Sequence, residues 1–229
     1  MSFELSDVDI SDAEVIARDI EVPAMQNVPL YRIMFPSSDS MQATQLDQII
    51  RWYTDMLEDA LRGRWESFLK ACTVDDKPVG FCAWTLEAQT NERQPVMNAN
   101  AKENLRKREK RGKKNWLPEI LDVEQWLSVS ARLRKERERV FGDLNSICRL
   151  TFMSVNPDYQ RQGIGSMLMQ RICEEANLHG RQAYVLASPE GVRLYAKFGF
   201  QVVGGVDTPQ GTITSMLRQP QQREVIETS

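Results

Sequence analysis

The amino-acid sequence predicts an α/β (α+β) domain on a mixed sheet of about seven strands with flanking helices. Three observations predict it. Two pairs of β-rich apolar runs are each joined across a polar turn, at Asp75-Asp76-Lys77 and at Asp207-Thr208-Pro209, giving antiparallel pairs. Between them the chain runs strand, Gly-rich turn, helix, strand. With 229 residues and 41% hydrophobic content, the chain can bury one full core plus an elaboration.

The elements follow in order. Phe3 to Val8 reads as the first strand, and Ser11-Asp12-Ala13-Glu14 as a capping box that opens a helix. After the turn-rich stretch Pro36 to Ser40, Leu46, Ile49, Ile50, Tyr53, Met56 and Leu57 repeat with helical spacing, which makes two helices before the first hairpin. That hairpin pairs Phe68 to Val74 with Val79 to Leu86. Residues 87–143 are charged and polar, a helical insertion between the third and fourth strands rather than a core layer. Its helix would carry Pro118 in the first turn and Ile120, Val123, Trp126 and Leu127 on one face. Residues 144–218 form the remainder: a strand from Ile147 to Val155, the turn Asn156-Pro157-Asp158, a helix to about Ala176, and a buried strand from Ala183 to Ala187. A helix opened by Ser188-Pro189-Glu190 and ending at Gly199 follows, then a closing pair, Phe200 to Val203 with Thr212 to Leu217. No internal repeat is visible, and 1–229 read as one domain.

Composition narrows the function. No apolar run approaches the roughly 20 residues of a membrane span, and the acidic N-terminus does not resemble a secretory signal. The expectation is a cytoplasmic protein without membrane contact. The net charge of -3 gives no reason to expect a polyanion as main partner, so nucleic acid is not expected. Lys102 to Lys114 holds eight Lys or Arg against two Glu. This run reads as a solvated segment, and a nucleic-acid or nuclear-import patch is the alternative that leaves nuclear residence open. Cys72, Cys82, Cys148 and Cys173 lie too far apart for zinc or dithiol spacing and read as buried free thiols; no metal is expected. His179, the one histidine, sits in a helix-to-strand turn, where a capping or surface role outweighs catalysis.

The chemistry concentrates in Gln160-Arg161-Gln162-Gly163-Ile164-Gly165-Ser166. Two glycines stand at the mouth of a helix, where unpaired N–H groups and the helix dipole favour an anion, and the missing Cβ atoms let a phosphate approach the backbone. No Gly-Lys-Ser/Thr follows, so this is no Walker A loop. Leu168 stands where a dinucleotide fingerprint would have its third glycine. A tight turn for helix–strand packing is the bland alternative.

The stretch Val155 to Ser166 resembles the Val-x-Pro-x-x-Gln/Arg-x-x-Gly-x-Gly/Ala signature of the GNAT superfamily of acyl-CoA N-acyltransferases. Leu194-Tyr195-Ala196-Lys197-Phe198-Gly199-Phe200 is similar to that superfamily's second signature, and Ala187 to Tyr195 and Leu30 to Pro36 resemble a filamentous-fungal branch of it. The resemblance covers Ile147 to Arg218 in detail and Phe3 to Leu86 in element order. Ser188 replaces the usual Asn and Gly191 the usual Ala. It implies a GNAT-like fold, acetyl-CoA or CoA as cosubstrate, and a small primary amine as acceptor, acetylated by direct attack on the thioester. Backbone groups of Met153 and Val155 would pair with pantetheine like an added strand. The N–H groups of Arg161, Gln162, Gly163, Ile164, Gly165 and Ser166 would hold the pyrophosphate, with the Arg161 side chain adding a charge-assisted contact. Ser188 would lie beside the pantetheine.

Tyr195 stands where the superfamily places the donor to the leaving sulfur. A phenol near ~10 is a weaker acid than a thiol near ~8.5, so transition-state hydrogen bonding competes with proton donation as its role. For the base that must deprotonate the amine, Ser146 to Val155 offers no carboxylate. Glu66, Glu87, Glu190 or a water chain remain as candidates. A non-catalytic acyl-CoA sensor and a protein or histone N-acetyltransferase are the alternative readings.

Overall fold

Alternating apolar residues build seven strands in the computed structural model, which describes residues 2–88, 116–142 and 146–221. They are β1 (Phe3–Asp7), β2 (Ser67–Thr73), β3 (Pro78–Ala88), β4 (Ser146–Val155), β5 (Gln182–Ala187), β6 (Gln201–Thr208) and β7 (Gly211–Arg218). Their order in the sheet is β1-β2-β3-β4-β5-β7-β6. All neighbours are antiparallel except β4 and β5, the parallel pair that makes the sheet mixed. The seven expected strands are therefore present, with β6 extending five residues beyond the expected Val203.

The helical run 13–25, here α1, consists of Ala13–Ile16, a π turn at Ala17–Glu21 and Val22–Met25. It is preceded by a 3₁₀ turn, Ile10–Asp12, in which the Asp12 carboxylate accepts from the Asp9 N–H at 2.8 Å. The expected box at Ser11 and Glu14 is thus displaced by two residues. A second short helix, α2 (Pro29–Met34), was not expected; its Pro at the first turn suits a helix start. The long helix α3 (Ala43–Gly63) buries Ile49, Ile50, Trp52, Tyr53, Met56, Leu57 and Ala60, the stripe its spacing predicts. The remaining helices are α4 (Val123–Phe141), α5 (Ile164–Leu178) and α6 (Val192–Lys197).

One sheet face carries α5: Ile164, Leu168, Met169 and Ile172 pack with Val79, Cys82, Cys148, Val185 and Tyr195. The opposite face carries α1 and α3, whose Ala13, Ile16, Ile20 and Leu57 pack with Phe81, Ala83 and Phe152.

The described part of the insertion corrects the expectation that it lies outside the core. Helix α4 starts at the Asp122 cap, whose side chain accepts from the Gln125 N–H at 2.9 Å, so Pro118 precedes the helix. Leu121 and Trp126 are buried with α2 and α3, and Val129 and Leu133 with Ile33, Val206 and Ile213. Arg132 and Arg139, two helical turns apart, donate to the carbonyls of Asp207 and Val203, so α4 covers the outer edge of strand β6. The basic run Lys102 to Lys114 lies outside the described residues.

Candidate functional site

Strand β4 is paired along its length with β3, but with β5 only through Ile147, Cys148 and Arg149. Beyond that point β5 continues against β7. Residues 150–155 thus present one backbone edge unpaired by β5, the kind of edge that accepts an added strand. The departure has a local cause. Ala83 pairs with Phe152 and Trp84 with Leu150, so Thr151 is an extra residue, a bulge that bends β4 where the two strands part. The half-buried Met153 and Val155, expected to flank pantetheine, lie on this open edge.

Immediately after Val155 comes the Gly-rich turn. Asn156 caps a 3₁₀ turn at Pro157–Tyr159 by accepting from the Asp158 N–H at 2.8 Å. Arg161 adopts φ +63° and Gly163 φ +91°, two left-handed residues that re-aim the chain into α5. The first return bond of α5 runs from the Met167 N–H to the Gly163 carbonyl at 3.0 Å, which leaves the N–H groups of Ile164, Gly165 and Ser166 as the free donors of the first turn. Arg161, Gln162, Gly163 and Ser166 are exposed.

The two glycines differ in role. A Cβ built on Gly163 meets nothing within 4 Å, so its absence keeps the mouth of the helix open. One on Gly165 would stand 3.2 Å from Leu194 of α6, so Gly165 serves packing between the two helices. Gly163 thus leaves room at the helix mouth, and Gly165 answers to packing.

Helix α6 starts at Val192, not at Ser188; residues 188–191 form a turn in which the Ser188 carbonyl accepts from the Gly191 N–H at 2.9 Å. The Ser188 hydroxyl accepts from the same N–H at 3.3 Å, the local role left to it. Tyr195 is buried beside Phe200, ring centroids 5.9 Å apart. Gly199 at φ +84° and the Phe200 N–H returning to the Tyr195 carbonyl at 3.2 Å end the helix and hold that pair. A Cβ on Gly191 would come within 2.8 Å of the Tyr195 ring, so the glycine that departs from the superfamily pattern makes room for Tyr195. Burial pushes the Tyr195 phenol far above its ordinary range, with the Cys82 thiol adding to the shift. It is therefore a neutral hydrogen-bond donor and a poor acid.

By strand register, Glu66 and Glu87 belong to the other end of β4. Glu66 precedes Ser67, which pairs through Trp84 to Leu150, five residues and roughly 17 Å from Val155. Glu87 pairs with Ile147, farther still, and its side chain lies outside the described residues. Glu190 is exposed in the turn before α6.

A buried carboxylate that does reach the Val155 end of β4 is Glu21. It is 4% exposed, in the π turn of α1, and its carboxylate accepts from the Ser154 hydroxyl at 2.8 Å. Ser154 lies between Met153 and Val155, so the alternation of β4 sends its side chain to the α1 side while theirs face α5. Burial raises the Glu21 pKa from 4.5 to about 7, against the smaller lowering effect of the Ser154 bond. Tyr53 lies beside Glu21, and Tyr31 beside Tyr53. Burial raises both phenols, Tyr31 to about 12, and Tyr53 is raised further by Glu21 and Tyr31. The Tyr31 hydroxyl is buried without a hydrogen-bond partner. A sequence signal existed: Ala13, Ile16, Ala17, Ile20 and Glu21 fall at i, i+3, i+4, i+7 and i+8, which places a carboxylate on the apolar stripe of the first helix.

All four cysteines are free and buried. His179 follows the last turn of α5, its ring 3.7 Å from the Glu175 carboxylate. Among the described residues no cluster of three or more His, Cys, Asp or Glu could hold a metal ion, and no helix is long and apolar enough to cross a membrane.

Residues 129–202 match the family model described as an acetyltransferase (GNAT) domain. No curated protein matches the sequence. Among solved structures, arylalkylamine N-acetyltransferase 2 from Aedes aegypti superposes with TM-score 0.65 at 12% identity, covering 96% of this chain and 100% of that one. Agmatine N-acetyltransferase gives 0.58 at 12%, covering 96% and 100%. A structure described as histone acetyltransferase HPA2 and related acetyltransferase, from Corynebacterium glutamicum, gives 0.57 at 15%, covering 98% and 100%. The mixed seven-stranded sheet with flanking helices is the fold of GNAT acetyltransferases.

Proposed function

We propose that this protein transfers an acetyl group from acetyl-CoA to a small primary amine by direct attack within a ternary complex. The observation that carries the reading is the placement of Glu21. A buried carboxylate with a pKa near neutrality touches β4 from one face, at the same open end where the Gly163 turn and Tyr195 stand on the other. The fold and the family match of residues 129–202 support the acetyltransferase class, and structural neighbours named for arylalkylamine and agmatine acetylation support a small amine acceptor.

The residues fit the donor. The free N–H groups of 164–166 and the open mouth left by Gly163 suit a pyrophosphate, with Arg161 beside them, and the free edge of β4 suits the amides of pantetheine. Acetyl-CoA bound there supplies the thioester; this chain supplies the proton handling. An alkylammonium near ~10.4 gives its proton to an ordinary carboxylate at a cost of about 8 kcal/mol, and to a carboxylate near 7 at about 5 kcal/mol. Glu21 is the base, and its burial reduces that gap. The Tyr195 hydroxyl donates a hydrogen bond toward the sulfur as negative charge develops there. Glu21 supplies the carboxylate whose apparent lack favours a non-catalytic sensor.

Two measurements test this. Calorimetry should show CoA binding to the native chain and a loss of at least about tenfold in Gly163→Val, where a branched side chain would enter the cradle. Thiol release from acetyl-CoA across a panel of small amines should identify an acceptor. Tight CoA binding with no turnover on any amine or peptide would overturn the catalytic reading.

A further inference from the structure

The base described above stands in an irregular helix, and the irregularity has two identifiable partners. Ile20, Glu21 and Val22 are 0%, 4% and 1% exposed. Three consecutive positions span about 200° of a regular helix, more than one packed face normally covers. The π turn at Ala17–Glu21 widens the helix at this point, and the Val22 N–H bonds back five residues to the Ala17 carbonyl. Two residues on is Pro23, which has no N–H to return to the carbonyl of Asp19, four residues earlier, and whose ring crowds that carbonyl in a regular helix. The Asp19 carbonyl instead accepts from the Asn156 side-chain amide at 2.7 Å, across 137 residues of sequence.

Asn156 is built into the donor side as well. Its backbone N–H donates to the Val79 carbonyl at 2.9 Å, its side-chain oxygen accepts from the Asp158 N–H, and its carbonyl accepts from the Tyr159 N–H at 2.9 Å. One half-buried side chain therefore spans the helix that carries Glu21 and the turn that leads to Gly163.

We infer that Asn156 is a positioning residue: with Pro23 it holds the π turn open, and so fixes the Glu21 carboxylate against Ser154 in register with the donor cradle. The inference rests on the reading of Glu21 as base. When Asn156 loses its amide, the Asp19 carbonyl is left to water, the turn relaxes and the carboxylate swings toward solvent. When Pro23 is replaced by Ala, a restored N–H can cap Asp19 within the helix and regularise it without touching the cradle. Tyr53 on α3 faces Glu21 and is itself flanked by Tyr31 on α2, both phenols raised by burial and neutral at working pH, and the Ser154 hydroxyl on β4 donates to the carboxylate.

The test needs no acceptor. The full chain is labelled with glutamate carrying carbon-13 in its side-chain carboxyl, and the Glu21 resonance is assigned by its loss in Glu21→Gln. It is then titrated in the native chain, in Asn156→Ala and in Pro23→Ala. The native midpoint is expected near 7, and both variants should move toward 4.5. CoA affinity, measured by calorimetry, should fall in Asn156→Ala and stay within about threefold in Pro23→Ala. A Glu21 midpoint unchanged in a cooperatively melting Asn156→Ala overturns the inference; if that variant does not fold, an unchanged midpoint in Pro23→Ala does so. A native chain that fails to bind CoA strikes the proposed function instead, and leaves the titration result standing as a statement about the turn.

Discussion

Single residues at this site trade stability for chemistry, and Glu21 does so most clearly. Its pKa is raised in the folded chain, so the folded state holds a proton that the unfolded state releases between pH 4.5 and about 7. The resulting stabilisation is complete below pH 4.5 and lost as pH rises through 7, a swing of about 3 kcal/mol. Glu21→Gln should therefore melt several degrees higher than the native chain at pH 8 and show no such gain at pH 4. It should also lose about a hundred- to ten-thousandfold in kcat/KM, whose acidic limb should have a midpoint near 7 in the native enzyme. Equal melting temperatures at pH 8 would show that the carboxylate is solvated. Tyr195 offers the complementary case. Its phenol is held neutral by burial, so Tyr195→Phe removes a donor and leaves no new charge or cavity. Melting temperature and CoA affinity should stay nearly constant while kcat and kcat/KM fall together by about ten- to a thousandfold. Unchanged kcat, with chemistry rate-limiting, would reduce Tyr195 to a core aromatic.

At the scale of elements, local rules and long-range ones separate. The strands, α3 and the Gly-rich turn were legible because their causes lie within a few residues: period-two apolar runs, an apolar helical stripe, and glycines before a helix. Gly165 reads in the sequence as a cradle glycine and Gly191 as a departure from the superfamily pattern, yet each makes room for a side chain on α6, Leu194 or Tyr195, that only the packing supplies. Glu21 lies on the apolar stripe of the first helix, but what marks it out, its bond to Ser154 133 residues away, only the packing supplies. Helix α4 is the largest such case. Its many charges suggest a peripheral segment, but Trp126 is 3% exposed and meets Trp52 edge-on at 5.4 Å. Trp126→Ala should therefore cost about 3–5 kcal/mol, measured by urea unfolding followed by circular dichroism. A loss below about 0.5 kcal/mol, typical of surface sites, would return α4 to the periphery.

The proposed donor site and the proposed base lie on opposite faces of one sheet. The cradle, α5 and Tyr195 occupy one face, and α1 with Glu21 the other. Beyond Arg149, β4 and β5 no longer pair, and Ser154 reaches toward one face from between Met153 and Val155, which face the other. A donor bound along the free edge of β4 and an amine reaching Glu21 from the α1 side would meet there without displacing one another. A covalent acyl-enzyme route would need a nucleophile at the same place. Cys82, which pairs with Met153 and influences Tyr195, is fully buried, and burial holds its thiol far above the range in which thiolate forms. Under direct attack, both substrates must be present before any product leaves. Once the amine panel yields an acceptor, initial rates with acetyl-CoA and that amine varied together should give intersecting double-reciprocal lines. Cys82→Ala should change kcat by less than about threefold, because the thiol contributes packing alone. Parallel lines, or release of CoA in a burst before amine is added, would show that the acetyl group passes through the protein and would overturn direct attack across the gap.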